Sequence, residues 1–189
     1  VKGAGLVTDR LTSKGSVLVL VVVAASATLI SGARQWVSGS VNDAVLGSGA
    51  IQGTGSDVAP AVMAAALVGL ASAVVAATSG RVLRIVAGWA TLLAAALGVA
   101  VVVSVLADPD AVLGRLASVG TGRSGALAVH SQVSAWVWVA LAALLVMGLG
   151  GIAALTGGSR WSGLSSRYDA GQESLPTWDR LSRGDDPTV

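Results

Sequence analysis

Two apolar runs without a single charged residue, Val58 to Thr78 and Ile85 to Leu106, are separated by only Ser79-Gly80-Arg81-Val82-Leu83-Arg84. The runs are 21 and 22 residues long. At about 1.5 Å rise per residue, a helix of either length covers the roughly 30 Å hydrocarbon core of a bilayer. Lipid offers the backbone no hydrogen-bond partner, so each run must satisfy its own amides and carbonyls as a helix, whatever the mild β preference of its valines. The stretch therefore predicts a membrane hairpin, and the rest of the chain is arranged around it.

Composition agrees with a membrane protein of one domain: 53% of the 189 residues are hydrophobic and 12% charged, against about 25% charged in soluble domains. The net charge of +2 does not point to nucleic acid, because the basic residues sit in short segments beside the apolar runs, where they act as topology signals. With no cysteine, disulfides, thiolate nucleophiles and cysteine metal sites are excluded.

In chain order, residues 1–14 form a basic cytoplasmic segment ahead of a first predicted helix at 15–33. Its end, Ser31-Gly32-Ala33, resembles a signal-peptidase site. Against cleavage, 19 apolar residues from 15 to 33 are enough to remain as a span. The loop 34–57 is rich in Gly and Ser. Gln35 to Val41 and Val45 to Gly53 suggest a small β-hairpin turning at Asn42-Asp43.

The second helix, 58–78, tolerates Pro60 in its first turn. Ala61, Ala65, Gly69, Ala73 and Ala77 form an i+4 stripe of small residues suited to packing within the bundle. The third helix, 82–106, ends at Asp108-Pro109, an N-cap followed by Pro at N1 that predicts a short interfacial helix through Leu116. After the loop 107–132, the fourth helix spans 133–156. A tail, 157–189, is expected to be mostly disordered.

Nine of the twelve Lys and Arg residues lie in the start, the central turn and the tail. Only Arg34, Arg115 and Arg123 lie in the alternate loops. The positive-inside rule then places both termini in the cytoplasm and both longer loops outside. The expected fold is an all-α four-helix transmembrane bundle, N-in and C-in, with a small extracytoplasmic hairpin, in the bacterial plasma membrane.

The four apolar stretches contain no Asp, Glu, Lys, Arg or His, whereas proton relays and ion-coupled carriers require such groups at depth. His130 sits in an outer loop near Ser131 and Gln132 with no orienting acid evident from spacing, so a solvated histidine is the reading. Asp108 and Asp110 are too few for a metal site, and capping explains Asp108. No cofactor or metal is expected. The candidate anchoring or interaction residues are Arg34, Trp36, Trp89, Trp136, Trp138, Trp161, Arg167 and Tyr168. For Arg34 beside Trp36, the favoured reading is interfacial anchoring by snorkelling and the aromatic belt. The alternative is an Arg that ties the outer loop to the helix ends.

Several of these segments together resemble a known family: Ala33-Arg34-Gln35-Trp36-Val37 at the exit of the first helix, Ala59-Pro60 opening the second, and Trp136 with Trp138 opening the fourth. The juxtamembrane Arg160-Trp161-Ser162-Gly163-Leu164-Ser165-Ser166-Arg167-Tyr168-Asp169 and the tail Trp178 to Thr188 extend the likeness. The chain resembles the tryptophan-biosynthesis-associated membrane proteins of actinobacteria. That resemblance implies a four-span protein linked to tryptophan synthesis by gene neighbourhood, and it transfers no catalytic residue. The leading expectation is a non-enzymatic accessory protein in the lipid bilayer, whose tail docks another protein. The runner-up is a carrier or sensor for tryptophan, indole or a related aromatic compound, with Trp89, Trp136 and Trp138 lining a site between helices. An enzyme using His130 and Asp110 comes third.

Overall fold

The computed structural model describes residues 14–43, 47–121 and 129–157. Its elements run α1 (Lys14–Gly32), β1 (Gln35–Asp43), β2 (Gly47–Thr54), α2 (Gly55–Val58), α3 (Pro60–Thr78), α4 (Arg81–Ala107), α5 (Pro109–Thr121), β3 (Val129–Val133) and α6 (Ala135–Gly157). Helices α1, α3, α4 and α6 are each long and apolar enough to cross a membrane. Their ends fall within two residues of the helix limits predicted from the sequence, 15–33, 58–78, 82–106 and 133–156.

The four long helices close a ring in the order α1, α3, α4, α6, with α6 returning to α1. The buried positions on α6 include the series Val137, Ala140, Leu144, Met147, Gly151 and Ala154, and those on α1 the series Val17, Val21, Ala24, Thr28 and Ser31. Steps of three and four alternate, which is the 3.5-residue period of a left-handed bundle. The i+4 stripe of α3 obeys that period only in its middle. Ala65, Gly69 and Ala73 are buried, while Ala61 is exposed, because each i+4 step drifts about 40° around a helix.

Lipid supplies no hydrophobic drive between spans, so close packing must hold them together. Small residues permit it. Met147 reaches across the ring from α6 to α3, where a Cβ on Gly69 would lie 2.4 Å from its sulfur. One turn away, Leu144 fills the notch left by Gly98 on α4. The buried hydroxyls of Thr28 and Thr91 donate within their own helices, to the carbonyls of Ala24 (3.0 Å) and Ala87 (2.9 Å), so neither is left unsatisfied among apolar neighbours.

A three-stranded antiparallel sheet, in the order β2-β1-β3, covers the end of the bundle remote from the Ser79-Gly80 turn. β1 and β2 form the expected hairpin, but Asn42 and Asp43 belong to β1, paired with Ser48 and Gly47. The connection therefore falls beyond them, at residues 44–46, outside the described residues. β3 was not anticipated; its five residues pair with β1 from Val37↔Val133 to Val41↔Val129. Helix α5 lies over the sheet, buries Leu113 and Ala117, and extends past Leu116 to Thr121. Asp108 caps it as expected, its Oδ1 accepting the Ala111 N–H at 3.0 Å. The segment 1–13 and the tail 158–189 lie outside the described residues, and with them Trp161, Arg167 and Tyr168.

Candidate functional site

The capped end is organised by Trp36. A register shift between Gln35 and Val37 lets two successive residues of β1 point inward, and both Trp36 and Val37 are 0% exposed. The Trp36 indole N–H donates to the Ser31 carbonyl at 2.9 Å, with the Ser31 hydroxyl at 3.3 Å. Ser31 Oγ in turn donates to the Trp136 carbonyl at 2.6 Å, and the Ser134 N–H donates to the Trp36 carbonyl at 2.8 Å. The ring thus joins α1, β1 and the start of α6. Gly55 provides its slot, since a Cβ there would stand 2.5 Å from the indole and 2.8 Å from Gly32 Cα. The expectation of a belt tryptophan at Trp36 is corrected: its indole is sealed inside protein, where headgroups cannot reach it. Ser31 and Gly32, part of the supposed cleavage site, are buried in the same arrangement.

Arg34 is held by its backbone, its N–H donating to the Ser31 carbonyl (2.9 Å) and its own carbonyl accepting from the Gly55 N–H (3.1 Å). Its guanidinium carbon lies 5.3 Å from the centroid of the Trp136 ring, a cation–π distance. The cation therefore contacts the first turn of α6. Trp136 is 37% exposed and Trp138 59%, so both indoles reach the surface although two positions on one helix are about 200° apart. Trp89, 53% exposed, sits near the start of α4 at the opposite end of the bundle. The three tryptophans do not converge on one site between helices.

Two clefts open beside the sheet. One, of about 460 Å³, is lined by Arg34, Gln35, Ser38, Gln132, Val133, Ser134 and Trp136. The other, of about 590 Å³, is lined by Ser38, Gly39, Ser40, Asp110, Ser131 and Gln132. The carboxylate of Asp110 accepts both the N–H (2.9 Å) and the hydroxyl of Ser131, tying α5 to β3. The Ser131 hydroxyl is thus directed to an acid. His130 is a β3 residue whose backbone stands opposite Ser40. No group of three or more His, Cys, Asp or Glu capable of holding a metal occurs among the described residues.

At the other end, Arg84 is buried, unlike its exposed neighbours Arg81, Val82 and Leu83. It is 2% exposed and donates from Nη2 to the Ser79 carbonyl at 3.3 Å. Its place is legible in the sequence: Arg84, Thr91 and Gly98 are seven residues apart and share the buried register of α4.

A further sequence signal, the capping box Thr54-Gly55-Ser56-Asp57, starts α2. Thr54 donates its N–H (3.1 Å) and hydroxyl (2.5 Å) to Asp57 Oδ2, while Thr54 Oγ1 accepts the Asp57 N–H at 3.4 Å. These hydrogen bonds, the hydroxyl first, hold the Asp57 carboxyl below its ordinary 3.8. A folded-state value below the unfolded one gives a stabilisation present above pH 3.8 and lost as the pH falls further. Amide exchange across residues 54–58, corrected for intrinsic rates, is expected to accelerate below that pH. In Asp57→Asn the corrected rates should not change with pH, and an equal acceleration in this variant would refute the assignment.

No curated protein and no solved structure matches the chain. The model of a family described as tryptophan-associated transmembrane proteins matches residues 18–188. The match takes in most of α1, the other three long helices, the sheet and α5, and on it the chain belongs to the tryptophan-associated transmembrane protein family.

Proposed function

We propose that this protein is a non-enzymatic accessory protein of tryptophan synthesis, seated in the bacterial plasma membrane and acting through protein contacts. Both termini face the cytoplasm, and the capped end faces outward. The observation that carries this reading is the filled interior: Met147 against Gly69, and Leu144 against Gly98, occupy the centre of the ring. A carrier needs a path at that depth, and ionisable groups commonly line one. Arg84 lies at the turn end, three residues into α4, well away from the centre. The orientation rests on the distribution of Lys and Arg along the sequence.

The test is a pull-down from detergent extract with the full chain and with a chain cut after Thr156. The full chain should retain an enzyme of tryptophan synthesis, and the truncated chain should lose it. If neither form retains a specific partner, the proposal fails. A sensor of tryptophan or a related aromatic compound is the second reading, favoured by the cleft that places Arg34 beside Trp136. Unchanged tryptophan and indole accumulation in a deletion strain would count against it.

A further inference from the structure

Arg34 combines three properties that its role in the fold does not require together. Its guanidinium carbon lies over the face of Trp136, 5.3 Å from the ring centroid. Among the described residues no Asp or Glu forms an ion pair with it. It opens onto a cleft of about 460 Å³ in which every other polar side chain is neutral: Gln35, Ser38, Gln132 and Ser134. A cation–π contact leaves the five N–H donors of a guanidinium available to an anion. The contact also favours side-chain rotamers that keep the guanidinium beside the cleft.

The chemistry complementary to this arrangement is planar or tetrahedral and negatively charged. An oxyanion can take two parallel N–H groups from the guanidinium edge, and the amides and hydroxyls around it can satisfy its remaining lone pairs. The positive end of the 23-residue helix α6 opens at the same place and adds to the field. Asp110 lines the adjoining cleft and accepts from Ser131. It does not line the Arg34 cleft.

We propose that the Arg34 cleft is a binding site for an oxyanion, either the phosphate of an anionic lipid headgroup or the carboxylate of an amino acid. The cleft lies at the end of α1 and the first turn of α6, where two of the apolar spans terminate and a bilayer spanned by them would end. A headgroup can reach the cleft from the bilayer, and a soluble carboxylate can reach it from water. The assignment does not depend on the accessory reading: failure to recover a protein partner would leave it standing.

The test uses the full-length chain in an uncharged detergent as wild type, Arg34→Ala, Arg34→Lys and Gln132→Ala. In one arm, native mass spectrometry counts phosphatidylglycerol molecules retained after mixing. In the other, calorimetry measures L-tryptophan against tryptamine, which keeps the indole and amine but lacks the carboxylate. Wild type should bind one of the two oxyanions saturably, and tryptamine should not bind. Arg34→Ala should weaken the interaction by roughly tenfold or more. Arg34→Lys should fall between, since an ammonium keeps the charge without the fork. Gln132→Ala leaves the Arg34–Trp136 contact intact and should also weaken binding, so it separates loss of the site from loss of the fold. Retention of phosphatidylglycerol alone identifies a headgroup as the source, and binding of L-tryptophan alone identifies a soluble carboxylate. Absence of saturable binding in both arms, or equal affinity in wild type and all three variants, overturns the proposal.

Discussion

Replacing Trp36 by alanine is expected to remove about 3–5 kcal/mol from the unfolding free energy, the range for deleting a fully buried aromatic side chain. The indole is 0% exposed. Alanine would therefore leave a void bounded by Gly55 and Gly32, which have no side chains to move into it. Two contributions can be separated. Trp36→Phe keeps most of the ring area but cannot donate to the Ser31 carbonyl, now bonded at 2.9 Å, so it should cost roughly 1–3 kcal/mol for the lost hydrogen bond and the smaller ring. Ser31→Ala leaves the backbone acceptor of Trp36 in place but removes the 2.6 Å bond from Ser31 Oγ to the Trp136 carbonyl, and it should cost less than Trp36→Ala. Equilibrium unfolding in mixed micelles measures all three. A loss below about 1 kcal/mol for Trp36→Ala would mean that the indole does not occupy the core.

That residue also shows why one part of the molecule was legible in the sequence and another was not. The helices were readable because an uncharged run of about 20 residues has few folded alternatives in lipid. Trp36 was not, because its position two residues after a cation at a helix exit is what a belt tryptophan also shows. The features that bury it are non-local: Gly55 stands 19 positions further along the chain, and Ser134, whose N–H bonds the Trp36 carbonyl, lies beyond α5. β3 escaped for a related reason. Val129 to Val133 alternates poorly and runs straight into an apolar helix, so only its pairing with β1 reveals it as a strand.

Other features were local and open to a closer reading. The Thr54-x-x-Asp57 box needs only four residues to recognise. Arg84 could have been placed inside the bundle by continuing the seven-residue register from Gly98 through Thr91. The Arg34–Trp136 pair was beyond such reading, because it joins residues about a hundred positions apart, brought together by the sheet and the Ser31 bonds.

The same dependence on close backbone approach gives the second large effect, at Gly151. A Cβ on Gly151 would lie 3.1 Å from Leu92 N and 3.2 Å from Gly88 O. Both are backbone atoms of α4, which cannot rotate aside as a side-chain tip could. Leucine at this position would have to push α4 and α6 apart, and the separation would also loosen the contacts of Leu155 with Gly88 and of Leu144 with Gly98. Gly151→Leu is therefore expected to cost about 3 kcal/mol, at the upper end of overpacking penalties, and to reduce the yield of folded protein in detergent. The neighbouring Gly148→Ala provides the contrast. Its Cβ would meet only Ala95 Cβ, at 3.5 Å, an ordinary contact, and alanine favours the helix by up to about 1 kcal/mol over glycine. Gly148→Ala should be neutral or slightly stabilising. If Gly151→Leu unfolds at the same denaturant concentration as wild type, α4 and α6 do not meet at Gly88 and Gly151. The ring order of the four spans would then have to be redrawn.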